Sequence, residues 1–220
     1  MSDVLAPLWL SLQIAVWATL LTAAVAIPLA HAMARRPFPG KSLLEALITL
    51  PLVLPPTVVG YLIIVLLGRQ GLLGHYLADW FDYSILFRVE GAVLASAIVA
   101  LPLLYMPARA AFASIDRELE DVARLMGATR LELFWHVSLP LARRGIGSGV
   151  ILAFARALGE FGATMMVFGK PAGARTLPIS VYEDWESGTP AHATYAVLAL
   201  ATLSLTLILA YNRSSAGKQE

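Results

Sequence analysis

Residues 4–34 contain no Asp, Glu, Lys or Arg, and the stretches 46–68, 91–108 and 187–212 are equally free of charge. A fifth stretch, 145–169, carries only Arg156 and Glu160. A helix needs about 20 apolar residues to cross about 30 Å of hydrocarbon, so each run has roughly the length of one crossing. A soluble domain carries roughly 25% charged residues spread over its surface. Here charged residues make up 14% and fall between the apolar runs. The runs are continuous rather than alternating, which argues against a transmembrane β-barrel. The expected fold is all-α and integral to the membrane, a single domain over 1–220. Its five spans lie at about 8–33, 43–67, 91–112, 144–168 and 192–211.

The placement of basic residues sets an expected orientation. With the amino end outside, inner segments carry Arg35, Arg36, Lys41, Arg109, Arg117, Arg124, Arg130, Arg143, Arg144, Arg213 and Lys218. Outer segments carry only Arg69, Arg88, Lys170 and Arg175. That asymmetry satisfies the positive-inside rule and puts the carboxyl end inside. The first run lacks a basic leader and has its arginines after it, so it reads as a retained helix rather than a cleaved signal. The chain has no cysteine, which removes disulfides and thiolate metal sites.

Prolines interrupt two of the runs. Pro51, Pro55 and Pro56 fall inside the second and Pro102 and Pro107 inside the third. Each removes a backbone hydrogen bond, and lipid cannot satisfy the freed carbonyl. The second run is therefore either a packing kink or a broken helix beside a polar path. Gly40-Lys41-Ser42 resembles the end of a phosphate-binding loop, but Arg35 stands where that motif needs its first glycine. No nucleotide site is expected on this chain.

Between the third and fourth runs lies a charged island, about 114–140. It reads as two short helices. Asp116 or Ser114 can cap the first, with Glu118, Glu120 and Asp121 in its opening turns, where they suit the helix dipole. Leu119, Val122, Ala123 and Met126 share one face. Gly127 is placed to end this helix, and Thr129 with Glu132 forms a capping-box signature for the next.

The island also carries a family motif: acidic Asp121, then Ala123 and Gly127, then Val137, Leu139 and Pro140. That spacing resembles the EAA coupling motif of ABC-importer permeases, with Asp121 in place of the usual Glu and Val122 in place of Ala. Further segments, Arg36–Lys41, Leu50–Tyr61, Phe154–Thr164 and Arg175–Pro178, resemble molybdate ABC-transporter permeases across most of the chain. The resemblance implies a type I importer permease working as a homodimer. It implies two ATP-binding cassette subunits on the cytoplasmic side and a periplasmic or extracellular oxyanion-binding protein outside. ATP and Mg would sit on the partner subunit and no cofactor on this chain. Some relatives carry an additional amino-terminal helix, which is not expected here. On the same basis Glu120, Asp121, Ala123, Gly127, Val137, Leu139 and Pro140 form the ATPase-coupling set.

Arg156 and Glu160 are four residues apart within an apolar run, and an ionisable residue there faces a cavity or another charge. Three roles stay open: an ion pair tying helices together, a charge beside the path of a dianion, or a dimer contact. Thr57, Gly60, Ser96 and Thr164 complete the candidate pathway set with this pair. The expected cargo is an oxyanion, molybdate first, with sulfate or tungstate as alternatives. An ATP-independent secondary transporter would need an inverted repeat or further intramembrane carboxylates, and neither is evident. His31, His75, His136 and His192 are scattered without metal-ligand or catalytic spacing, so a membrane enzyme is not expected. Lipid is an expected partner, nucleic acid is not, and the expected location is the inner (plasma) membrane.

Overall fold

The computed structural model describes residues 2–35, 37–169 and 174–216. Arg36, Lys170 and Lys218, which entered the charge comparison, lie outside the described residues. Every regular element among them is helical: α1 (Ser2–Arg35), α2 (Lys41–Thr49), α3 (Pro56–Leu67), α4 (Gly74–Phe81), α5 (Val89–Ala113), α6 (Arg117–Leu125), α7 (Arg130–Leu133), α8 (Leu139–Leu158), α9 (Gly162–Phe168), α10 (Leu177–Glu186) and α11 (Pro190–Ala216). A 3-10 turn, Leu50–Leu52, follows α2, and a π-helical turn, Phe134–Ser138, joins α7 to α8.

Small residues at helical spacing decide the packing. On α5, Ala92, Ser96, Ala100, Leu104, Ala108 and Phe112 recur every four residues and all are buried. Ala15, Ala18, Ala26 and Ala30 line the facing side of α1, and Ala142, Ile146, Gly149 and Ala153 that of α8. In lipid no hydrophobic force drives helices together, so close van der Waals approach through small side chains takes over. Gly145 and Gly149 make this approach tightest. A methyl added at Gly149 would sit 3.0 Å from the Leu104 carbonyl oxygen, and one at Gly145 would meet the Ala111 side chain at 2.5 Å. The Thr22 hydroxyl adds an interhelical bond to the Ala97 carbonyl, 3.1 Å.

Among the described residues, three helical stretches are individually long and apolar enough to cross a membrane: Val4–Arg35, Val89–Ala113 and Arg130–Leu158. The expected second span is not one rod, because α2 and α3 meet at 115°. Pro55 precedes Pro56 and is held extended at φ −53°, ψ 135°, so the helix cannot continue through it. Pro56 then starts α3, where a missing N–H costs nothing. Pro102 and Pro107, by contrast, leave α5 unbroken.

The expected fourth span, 144–168, is corrected at both ends. Its helix begins at Arg130 and stops at Leu158; Glu160 and Phe161 are non-helical, and α9 follows as a separate short helix. The fifth, 192–211, lies within α11, whose apolar part Ala193–Leu209 is shorter than the other spans. α11 itself continues to Ala216.

Replacing Gly149 or Gly145 with Leu should destabilise the bundle by about 1–3 kcal/mol or more through overpacking. A Cβ at Gly147 meets nothing within 4 Å, so Gly147→Ala should stay near wild type. Thermal unfolding of the three variants in one detergent checks the ranking.

Candidate functional site: the charged island and the buried ion pair

The island folds as its local chemistry requires. Asp116 caps α6, its carboxylate accepting the Glu118 N–H at 3.0 Å. Gly127 sits at φ 89°, a left-handed conformation that costs a side-chain-bearing residue energy. There the Ala128 N–H donates to the Ala123 carbonyl (3.0 Å) and the Gly127 N–H to that of Arg124 (2.9 Å), a Schellman stop. Thr129 and Glu132 close a reciprocal capping box that starts α7.

The second short helix does not end before the next span. It runs through the π turn into α8 as one rod, with Val137 and Ser138 in the turn and Leu139 and Pro140 opening α8. Pro140 has no N–H for the carbonyl four residues back, and its ring crowds that turn. The Leu139 N–H instead reaches the Phe134 carbonyl, five back, and the wider turn makes room for the ring.

Glu120 holds the island to the bundle. It is 3% exposed although it sits on a short surface helix. Its Oε1 pairs with Arg35 Nη2 at 2.5 Å and accepts the Ser138 hydroxyl at 3.1 Å. Its Oε2 faces Arg124 Nη2 at 3.3 Å. Arg35 also donates to the Ile115 carbonyl, 3.3 Å. One carboxylate therefore joins the last residue of α1, the helix α6 and the π turn. Asp121, the residue matching the acidic motif position, is exposed and pairs locally with Arg124, 2.6 Å. Sequence reasoning named Glu120 but not its partners Arg35 and Ser138, nor the Arg109–Glu45 pair (2.8 Å) that ties α5 to α2.

With Glu120 turned inward, the apolar residues of α6 turn outward. Leu125 is 88% and Met126 84% exposed, and Leu119, Val122, Leu131 and Trp135 are each more than half exposed. Ala123, Val137 and Leu139 are partly buried and Pro140 is exposed. Exposed apolar side chains thus gather beside a charged collar, a pattern that suits an interaction surface.

The pathway candidates gather around α9. The Glu160 side chain is 1% exposed and pairs with Arg156 Nη1 at 2.6 Å. Its other oxygen accepts the Ala163 N–H at 2.7 Å, so the same carboxylate caps the first turn of α9. Gly60 is buried where α3 meets α9, and a Cβ there would lie 2.8 Å from that of Met166. Ser96 and Thr164 are buried and bond each other across α5 and α9, 3.4 Å. Gly60, Ser96 and Thr164 are thus packing positions in this conformation, without a surface from which to line a path. Thr57 is exposed, and the Arg156 side chain is 29% exposed.

The far end of α1 meets α10. The buried Ser11 hydroxyl accepts the Leu177 N–H at 2.8 Å, and Arg175 pairs with Asp184 at 2.9 Å. Phe161, in the break after α8, stacks toward Tyr182 of α10 at 5.5 Å.

Comparison with known proteins is consistent along the whole chain. Residues 10–214 match the family model described as binding-protein-dependent transport system inner membrane component. The molybdenum transport system permease protein ModB of Escherichia coli (strain K12) is 41% identical over 203 residues, 91% of this chain and 89% of that protein. Its Haemophilus influenzae counterpart is 43% identical over 90% of this chain and 87% of that protein. The sulfate transport system permease protein CysW of Synechocystis sp. is 36% identical over 90% of this chain and 76% of its own length. Among solved structures, a bacterial alginate ABC transporter in complex with an alginate-bound periplasmic protein matches with a TM-score of 0.74 over 98% of this chain and 79% of that chain, at 18% identity. That last likeness establishes the fold, the type I ABC permease fold. The chain therefore belongs to the family of binding-protein-dependent transport system inner membrane components, and it is an ABC transporter permease rather than an enzyme.

Proposed function

We propose that this chain is the permease subunit of an ATP-driven importer that moves an oxyanion, molybdate first, from the periplasmic side to the cytoplasm. In this reading it works as a homodimer in the inner membrane, with five membrane passages, the amino end outside and the carboxyl end inside. Two ATP-binding cassette subunits dock on the island, and an oxyanion-binding protein docks on the opposite face. The observation that carries the reading is the apolar tip of α6 mounted on a buried ion cluster. A helix tip seated in a partner's groove transmits force only if it cannot swivel against its own bundle. The Glu120 cluster and the Schellman stop at Gly127 supply that stiffness. Sulfate is the second reading, favoured by the 36% identity to a sulfate permease.

Arg156 and Glu160 are proposed to stand beside the path, with the half-open Arg156 guanidinium offering attraction to a dianion. Glu160 holds that guanidinium while capping α9, so charge and the helix break are coupled. Thr57 is exposed and lies against Gly162 at the start of α9.

The docking role is tested at residues the fold does not need. Leu125→Asp with Met126→Asp should alter stability by no more than about 0.5 kcal/mol, as surface substitutions do. It should nevertheless abolish ATPase-driven uptake of labelled molybdate in proteoliposomes holding the motor and binding-protein partners. Uptake at the wild-type rate would overturn the docking assignment. Gly127→Val should cost about 1–2 kcal/mol for its left-handed backbone and reduce uptake per ATP hydrolysed. Competition between labelled molybdate and sulfate in the same vesicles ranks the two cargoes.

The ion pair predicts an asymmetry. Arg156→Gln leaves a carboxylate buried without its counter-charge and should cost about 3–5 kcal/mol. Glu160→Gln keeps an acceptor for the Ala163 N–H and leaves Arg156 partly open, so it should cost less. Unfolding of the two variants under one condition checks the order.

A further inference from the structure

A cavity of about 570 Å³ opens between the Arg35 end of α1 and the island helices, lined by His31, Arg35, Glu120, Arg124, Thr129 and Arg130 among others. Its charges do not balance. Three arginines face Glu120 in the lining; Glu120 already serves Arg35, Arg124 and the Ser138 hydroxyl, and Arg124 also pairs with Asp121, which leaves Arg130 as the excess charge. Arg130 is exposed and forms no ion pair with another described residue. Arg35 Nε is buried and has no hydrogen-bond partner among the described residues. A buried donor of this kind normally finds an acceptor.

We propose that this cavity is a binding site for a phosphate-type tetrahedral oxyanion, which would bridge Arg35 of α1 to Arg124 and Arg130 of the island. The chemistry favours that class over a carboxylate. Guanidinium groups present planar forks of donors that match phosphate oxygens two at a time. Forks arriving from α1, α6 and α7 approach from different directions, and a tetrahedral acceptor offers oxygens to each, whereas a planar carboxylate serves two. Two sources supply such a group: free inorganic phosphate, or the headgroup of an anionic phospholipid. The second is natural where an apolar helix ends in arginine, because basic pockets at that level bind lipid headgroups. The site exists on this chain alone and needs no motor subunit, so it stands or falls separately from the docking assignment.

The test uses the full chain in nanodiscs. In discs of phosphatidylcholine, inorganic phosphate is titrated by calorimetry at constant ionic strength. In discs containing phosphatidylglycerol, retained lipid is counted by native mass spectrometry. Saturable phosphate binding assigns the free anion, and selective phosphatidylglycerol retention assigns the headgroup. Arg130→Glu should lower whichever signal is seen by at least tenfold, while Arg117→Glu, on the same island but outside the cavity, should leave it unchanged. Thermal unfolding of both variants, with Arg130→Gln as a milder change, verifies that each is folded. No saturable signal in either arm, or equal signals from Arg130→Glu and Arg117→Glu, would overturn the assignment.

Discussion

A carboxylate withdrawn from water on a surface helix is costly unless several donors replace its hydration. Glu120 meets that requirement with Arg35, Arg124 and Ser138, and its placement orders everything around it. Because Glu120 points inward, the i±3 and i±4 pattern of α6 sends Leu119, Val122 and Met126 outward. Because Arg35 is the last residue of α1, the longest helix ends against the island rather than in solvent. Because Ser138 lies in the π turn, the rod that becomes α8 is joined to the same point. Removing Arg35 would leave the buried Glu120 carboxylate with only the exposed Arg124 opposite it, at about 3–5 kcal/mol.

The chain otherwise economises on polar contacts inside the bundle. Its core is dominated by alanine and glycine at close approach, and the buried hydroxyls of Ser11, Thr22, Ser96 and Thr164 each bridge to another element. Irregular backbone occurs where prolines or glycine force it: between α2 and α3, and between α8 and α9. The two breaks lie against each other, since α3 packs on α9 through Gly60 and Gly162. A break in lipid must be covered by protein. These two cover one another.

How much of this could be read beforehand depended on range. The caps at Asp116, Gly127 and Thr129–Glu132 were legible because capping chemistry acts within a few residues. Apolar runs gave the long helices, and spacing gave the Arg156–Glu160 pair. What escaped was set by distant partners. Glu120 and Asp121 are adjacent acids with the same local prospects, and only Arg35 and Ser138 make one buried and leave the other exposed. Ser96 and Thr164 look like lining residues in isolation, but their hydroxyls satisfy each other. The proline run announced a break without its 115° angle, which depends on what α3 packs against. Gly145 and Gly149 were a readable small-xxx-small signal that the sequence reading passed over.

The wide turn at Phe134–Ser138 has a geometric corollary. One surplus residue in a helix offsets everything beyond it by about 100° of azimuth, the angle per residue of an α-helix. The compass bearing of α7 relative to α8 is thus written by a single extra amino acid rather than by a flexible joint.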